Sequence, residues 1–199
     1  MKSLPYRNPL IYELGLKLLH GKTLTQRYRR ISEIIGPGKT VLDLGCGTGL
    51  LASYLHNCRY IGWDMNQKFI DYCKKKGLHV FKKNILDYKE YPDCDYIVFC
   101  DILHHIVPQD EYILKAAVQK AAVIAVEPCY TRSLPRCLLF VYDQLIGDAD
   151  GINAYEDRMK WRYTENLLKE KFSKMGARYT ESMDGMLLAL FEKEKVDNS

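Results

Sequence analysis

Three carboxylates, three closely spaced glycines and a pair of histidines are the residues of this sequence whose types and spacing could do chemistry. The stretch VLDLGCGTGLL, residues 41–51, sets Asp43 two residues ahead of the loop Gly45-Cys46-Gly47-Thr48-Gly49. Positions without a bulky side chain let backbone amides come close to a bound group, and an acid just upstream can accept from loop amides or counter a cation. Asp64 in YIGWDMN and Asp87 in NILDY end the next two strand-like stretches. At the first of these positions a carboxylate can grip a pair of ribose hydroxyls; at the second it can accept from an exocyclic amine. Together the three acids suit a nucleoside without phosphate. His104 and His105 follow the fourth strand-like run, where an imidazole near its ordinary pKa could take up a proton.

Competing readings of the same residues fail on spacing. GPGKT at 36–40 resembles the end of a phosphate-binding P-loop, but the first glycine of that motif would fall on Glu33, and the segment precedes a strand instead of following one. The loop reads G-x-G-x-G with Leu50 next, where a dinucleotide fingerprint needs G-x-G-x-x-G. Cys129 in EPC is read as a structural thiol, because no matching second cysteine motif follows the fourth strand. Nor does a Pro-Pro-aromatic motif follow the fourth strand, where the sequence reads DILH. Both absences disfavour nucleic-acid bases as substrates.

The elements that must position these residues alternate. Helical spacing is predicted over Leu10–Leu19 and Thr25–Ile35, ended by Gly36-Pro37-Gly38. Strands over Val41–Leu44, Tyr60–Trp63, His79–Lys82, Tyr96–Cys100 and Ala122–Val126 are interleaved with helices over Leu50–Leu55, Gln67–Lys76 and Asp110–Lys120. A helix over Thr164–Met175 and a last strand in GMLLALFEKE close the chain. Strands alternating with helices imply a parallel sheet covered on both faces. The 199 residues suit one domain, with a helical cap over 1–36, a core over 37–130, an insertion over 131–163 and a closing helix and strands over 164–193.

Composition sets the outer bounds. With 47% hydrophobic and 27% charged residues the chain reads as a globular protein. Its net charge of +4 is mild, and the basic cluster Lys22, Arg27, Arg29, Arg30 and Lys39 reads as a solvated helix face. Seven cysteines without a CxxC argue for reduced thiols and against a disulfide framework or a metal site. No apolar run of membrane-spanning length and no signal-peptide pattern is present, so a cytoplasmic protein is expected.

VLDLGCGTG, YIGWDMN, NILDY and CDYIVFCDILHHI, taken in order, resemble the consecutive motifs of the class I S-adenosylmethionine-dependent methyltransferases, in particular their small-molecule branch. The resemblance covers about residues 38–127. It implies a Rossmann-like three-layer α/β sandwich whose seven-stranded, mostly parallel sheet has an antiparallel last strand, with added N-terminal helices and a helical insertion after the fifth strand. It also implies S-adenosylmethionine as cofactor and S-adenosylhomocysteine as product. Carried over residue by residue, Asp43, Gly45, Cys46, Gly47 and Gly49 would face the methionine end, Asp64 would hold the ribose and Met65 would pack beside the adenine. Asn84 and Asp87 would meet the adenine edge, and Asp101, Ile102, Leu103 and His104 would flank the methionine and the reacting methyl group.

In such enzymes the segments before the first strand and after the fifth enclose small acceptors. Here those segments carry Tyr6, Tyr12, Phe140, Tyr142, Tyr155 and Trp161, enough aromatic surface to roof an apolar pocket. Tyr6, Tyr12, His105, Glu127, Tyr142 and Trp161 are the candidate acceptor contacts, and His104 or His105 the candidate base. Arg132, Arg136, Arg158 and Arg162 could recognise an acidic group on the acceptor. The function expected is methyl transfer to oxygen or nitrogen of a small, partly apolar molecule. The alternatives are methylation of RNA or protein, and a non-catalytic scaffold that only binds the cofactor.

Overall fold

The computed structural model describes residues 3–130, 150 and 155–193. Seven strands form one sheet: β1 (Thr40–Leu44), β2 (Arg59–Asp64), β3 (Val80–Lys82), β4 (Tyr96–Cys100), β5 (Ala122–Pro128), β6 (Tyr179–Met183) and β7 (Met186–Phe191). Their order across the sheet is β3-β2-β1-β4-β5-β7-β6. The first five run parallel, and β7 lies antiparallel to both β5 and β6. This is the Rossmann-like sheet expected, with its last strand reversed.

The helices are α1 (Leu4–Arg7), α2 (Pro9–Ile35), α3 (Gln67–Lys75), α4 (Asp110–Val118), α5 (Tyr155–Arg158) and α6 (Glu165–Lys174). Alternation along β1 decides what each sheet face buries. Leu42 and Leu44 join Trp63, Phe99 and residues of α4 and α6 in the larger core. Val41 points the other way, into a second core with Val98, Ile124 and Ile31 and Ile35 of α2. Asp43 falls on that second face, a buried acid in an otherwise apolar row.

The two predicted N-terminal helices are present as the two stretches of α2, separated at Gly21, whose φ of 47° and ψ of −120° are not helical. The helix predicted over Leu50–Leu55 is instead a 3₁₀ segment, Leu50–Tyr54. The glycine loop takes the first five residues of the connection between β1 and β2, and the turn after it is closed by tight i→i+3 bonds such as Ala52 N–H to Gly49 O. β6 escaped the reading of single residues and entered only through the strand count that the family resemblance implied. Among the described residues no helix is long and apolar enough to cross a membrane. Most of the 131–163 insertion, with Arg132, Arg136, Phe140 and Tyr142, lies outside the described residues.

Candidate active site

The crossovers from β1 lead to β2 on one side, while β4 begins the other half of the sheet. A crevice opens where the two halves diverge, at the carboxyl ends of the strands, and this is where open α/β sheets bind ligands. The Gly45–Gly49 loop, Asp64 and the turn Asp101–His105 all meet at this edge.

The glycine loop is pinned to β2. Gly45 and Cys46 donate their N–H groups to the Trp63 carbonyl at 2.8 and 3.0 Å, and Gly47 N–H donates to Asp64 Oδ2 at 2.9 Å. Asp64 Oδ1 accepts from Asn66 N–H at 2.7 Å, so one carboxylate ties the loop to the start of α3. The expectation that these amides face a ligand is thereby corrected, because the protein itself engages them. What the glycines supply is room: a Cβ on Gly45 would lie 2.5 Å from Ile102 Cγ1, and one on Gly49 would lie 2.5 Å from Leu78 Cδ1. Asp64 keeps acceptor capacity for hydroxyls, since each carboxylate oxygen has two lone pairs.

Asp43 is buried, and its Oδ2 accepts from Tyr60 Oη at 2.8 Å rather than from loop amides. Burial, with Asp64 nearby and despite the Tyr60 hydrogen bond, pushes its carboxyl up to about 7. Above it lies a cavity whose walls include Tyr12, Arg27, Asp43, Thr48 and Asp101. Thr48 Oγ1 is fully buried there and has no hydrogen-bond partner among the described residues. Arg27 Nη1 lies 3.4 Å from Asp101 Oδ2. Burial works against its charge, but the Cys100 sulfur that accepts from Nη1 and the Asp101 carboxylate together outweigh burial and hold it protonated. The Cys100 thiol is itself pushed up to about 12 by burial, so Asp101 is the anion of that pair at neutral pH. Two acids, a guanidinium and an unsatisfied hydroxyl form a lining that fits the ammonium and carboxylate of an amino-acid group.

Behind the cavity, Glu127 is fully buried at the end of β5. Its Oε1 accepts from the N–H groups of Ile102 and Leu103, and its Oε2 from His104 N–H, with His104 Nδ1 at 2.9 Å. Glu127 was expected to touch an acceptor; it has no exposed surface and instead shapes the turn that carries the histidines. Leu103 likewise turns its side chain into the core. Trp161 is buried, donating Nε1–H to the Pro128 carbonyl at 3.0 Å, so it packs the base of the site instead of roofing it. His105 Nδ1 lies 3.1 Å from Asp150 Oδ2.

The N-terminal segment covers this edge. Tyr12 packs against Gly47, 3.4 Å from where its Cβ would be, and stacks on Phe69 with ring centroids 4.8 Å apart. Tyr6 lies 6.4 Å from the His105 ring. Asn66 Nδ2 donates to the Tyr6 carbonyl, Lys68 Nζ to the Arg7 carbonyl, and Lys76 pairs with Glu13 at 2.8 Å.

The sequence profile of the methionine biosynthesis protein MetW family matches residues 25–130, more than half of the chain. The chain belongs to the MetW family. No curated protein sequence matches it significantly. Among solved structures it is similar to a methyltransferase of Haloferax volcanii in complex with the Trm112 activator, at 13% identity over 98% of this chain and 100% of that one, TM-score 0.67. It is also similar to DhpI in complex with SAH, at 16% identity over 94% and 91% of the two chains, TM-score 0.65. The CurJ carbon methyltransferase shares 18% identity over 84% of this chain, TM-score 0.63, and this chain spans 54% of that one. The fold is that of the S-adenosylmethionine-dependent class I methyltransferases.

Within this family member the remaining sequence candidates are spread along the crevice. Met65 is half-exposed beyond Asp64, and Asn84 Oδ1 accepts from Leu86 N–H in a local turn, with Asp87 exposed beside it. Cys46 is buried under the loop. Cys129 is buried too, its thiol pushed up to about 11 by burial, which leaves it protonated and unreactive. Reasoning from sequence missed Thr48 as an individual hydroxyl, Asn66, Asp150 and above all Arg27, assigned there to a solvated face. A signal existed: Leu24, Arg27, Ile31 and Ile35 are all buried and share one helical face, so the apolar stripe of α2 runs through the arginine.

Proposed function

We propose that the protein is an S-adenosylmethionine-dependent methyltransferase acting on oxygen or nitrogen of a small, partly apolar molecule. The observation that carries this reading is the cavity at the sheet's switch point, where buried Thr48, Asp43 and Arg27 and half-buried Asp101 can receive an amino-acid group, one loop away from Asp64. Asp43 and Asp101 would hold the cofactor's ammonium, Arg27 its carboxylate, and Asp64 the ribose hydroxyls, with Met65 against the adenine and Asn84 and Asp87 at its edge. When bound, the cofactor supplies a methyl group already activated on a sulfonium.

The chain's own residues then have two tasks. Tyr6, Tyr12 and the turn Asp101–His105 align the acceptor and exclude water. His105 takes its proton: with Nδ1–H donated to Asp150, the neutral ring presents its lone pair at Nε2. His104, fixed by Glu127, positions the turn. RNA as substrate is less well supported, since Arg27 is buried against Asp101 and Arg30 pairs with Glu181 at 2.7 Å, which removes two cations from the N-terminal basic cluster.

Isothermal titration tests this reading. S-adenosylmethionine and S-adenosylhomocysteine are expected to bind in the micromolar range, with NAD and ATP inert and Asp64→Ala weakening binding by about tenfold or more. Binding of NAD or ATP alone, or of none of the four, overturns it.

A further inference from the structure

The outer face of α2 before its break is apolar and, among the described residues, uncovered. Leu10, Leu14 and Leu18, spaced four apart and therefore stacked on one side of the helix, are 64%, 58% and 76% exposed. Ile11 beside them and Leu4 of α1 are also exposed. Large apolar side chains gathered on one exposed face mark an interaction surface, unlike leucines scattered singly. The charges around them have one sign. Arg7 and Lys17 are exposed beside them, and Lys22 is exposed just past the break. Its one acid, Glu13, is turned beneath the helix to Lys76, with 13% of its side chain exposed.

We infer that this face docks on an anionic lipid surface, with the leucines in the acyl boundary and the lysines among the headgroups. Leucines on one side with cations and no outward acid are the chemistry of an interfacial helix. The segment Pro9–His20 would be about 18 Å long at 1.5 Å per residue, too short for a hydrocarbon core of about 30 Å, so it lies on the surface and does not span it. The opposite side of the same helix carries Tyr12 and Leu16 into the cavity wall. A helix that borders both the lipid and the site gives an amphiphile a short path between them. The docking itself is independent of the methyltransferase reading, because it is measured by binding alone.

The test is co-sedimentation of the full chain with vesicles of equal parts phosphatidylcholine and phosphatidylglycerol, beside vesicles of phosphatidylcholine alone. Binding to the mixed vesicles is expected, weakened by salt. Leu14→Glu should lower the partition coefficient by about tenfold or more, since it removes a leucine from the acyl boundary and adds a charge that the anionic headgroups repel. The double variant Lys17→Glu/Lys22→Glu should do the same at low salt. Both variants alter exposed side chains only, and an unchanged thermal melt confirms that they fold. Absence of wild-type binding overturns the inference, as does equal, salt-insensitive binding to both vesicle types. So does a concentration-dependent dimer in sedimentation velocity that Leu14→Glu abolishes, which assigns the face to a second copy of the chain.

Discussion

Asp43 is held out of water beneath the cavity, with Asp64 as its acidic neighbour, and keeps its proton until about pH 7. An ordinary aspartate in the unfolded chain titrates near 4. Between those values the folded state binds the extra proton, so stability falls as pH rises from about 4 to about 7 and is level beyond, a swing of order 4 kcal/mol. Asp43→Asn keeps an acceptor for Tyr60 and removes the charge. Urea unfolding across pH 4–8 should therefore show a flattened profile for the variant and greater stability than wild type at pH 8; superimposable profiles would refute the assignment. At this scale the sequence was informative wherever a residue type is rare in its setting. An acid inside an apolar strand and glycines at alternate positions stood out. Glu127 and Arg27 were misplaced because spacing does not show which buried charge faces a ligand and which holds up a turn; only the partners tell.

Elements were legible where their period was clean. The five parallel strands and α3, α4 and α6 lie within a residue or two of their predicted spans. β6 was not, since Tyr179–Met183 is the edge strand, half-covered, and its sequence YTESM lacks the apolar alternation of a buried strand. Nor can periodicity reveal what joins two elements across the fold. Lys171 of α6 reaches α4, with Nζ 2.7 Å from Asp110 Oδ2 and 3.0 Å from Glu111 Oε1. Burial opposes its charge, but the hydrogen bond to Asp110 outweighs it and raises the pKa above the usual lysine value. Its stabilising contribution is thus complete below about pH 10 and lost as the ammonium deprotonates above it. Lys171→Met leaves buried Asp110 without its cation and should cost about 3 kcal/mol at pH 7 by urea denaturation. A loss under about 0.5 kcal/mol would mean that water already screens the pair.

For the whole molecule, α2 joins two regions of unequal cohesion. Beyond Gly21 the helix buries Leu24, Ile31 and Ile35 against the sheet. Before it, none of the described side chains over 9–18 is fully buried, and the contacts include the Lys76–Glu13 pair, two bonds to backbone carbonyls and aromatic contacts. Cooperative units of this kind open at their own free energies. In amide hydrogen exchange read by mass spectrometry, residues 22–35 should exchange only with global unfolding, while residues 9–20 exchange through local opening and orders of magnitude faster. S-adenosylmethionine should slow the second group and leave the first unchanged; one uniform rate across residue 21 would contradict it. A break of a single residue thus lets one helix keep two clocks, the first set by the core and the second by whatever occupies the crevice beneath it.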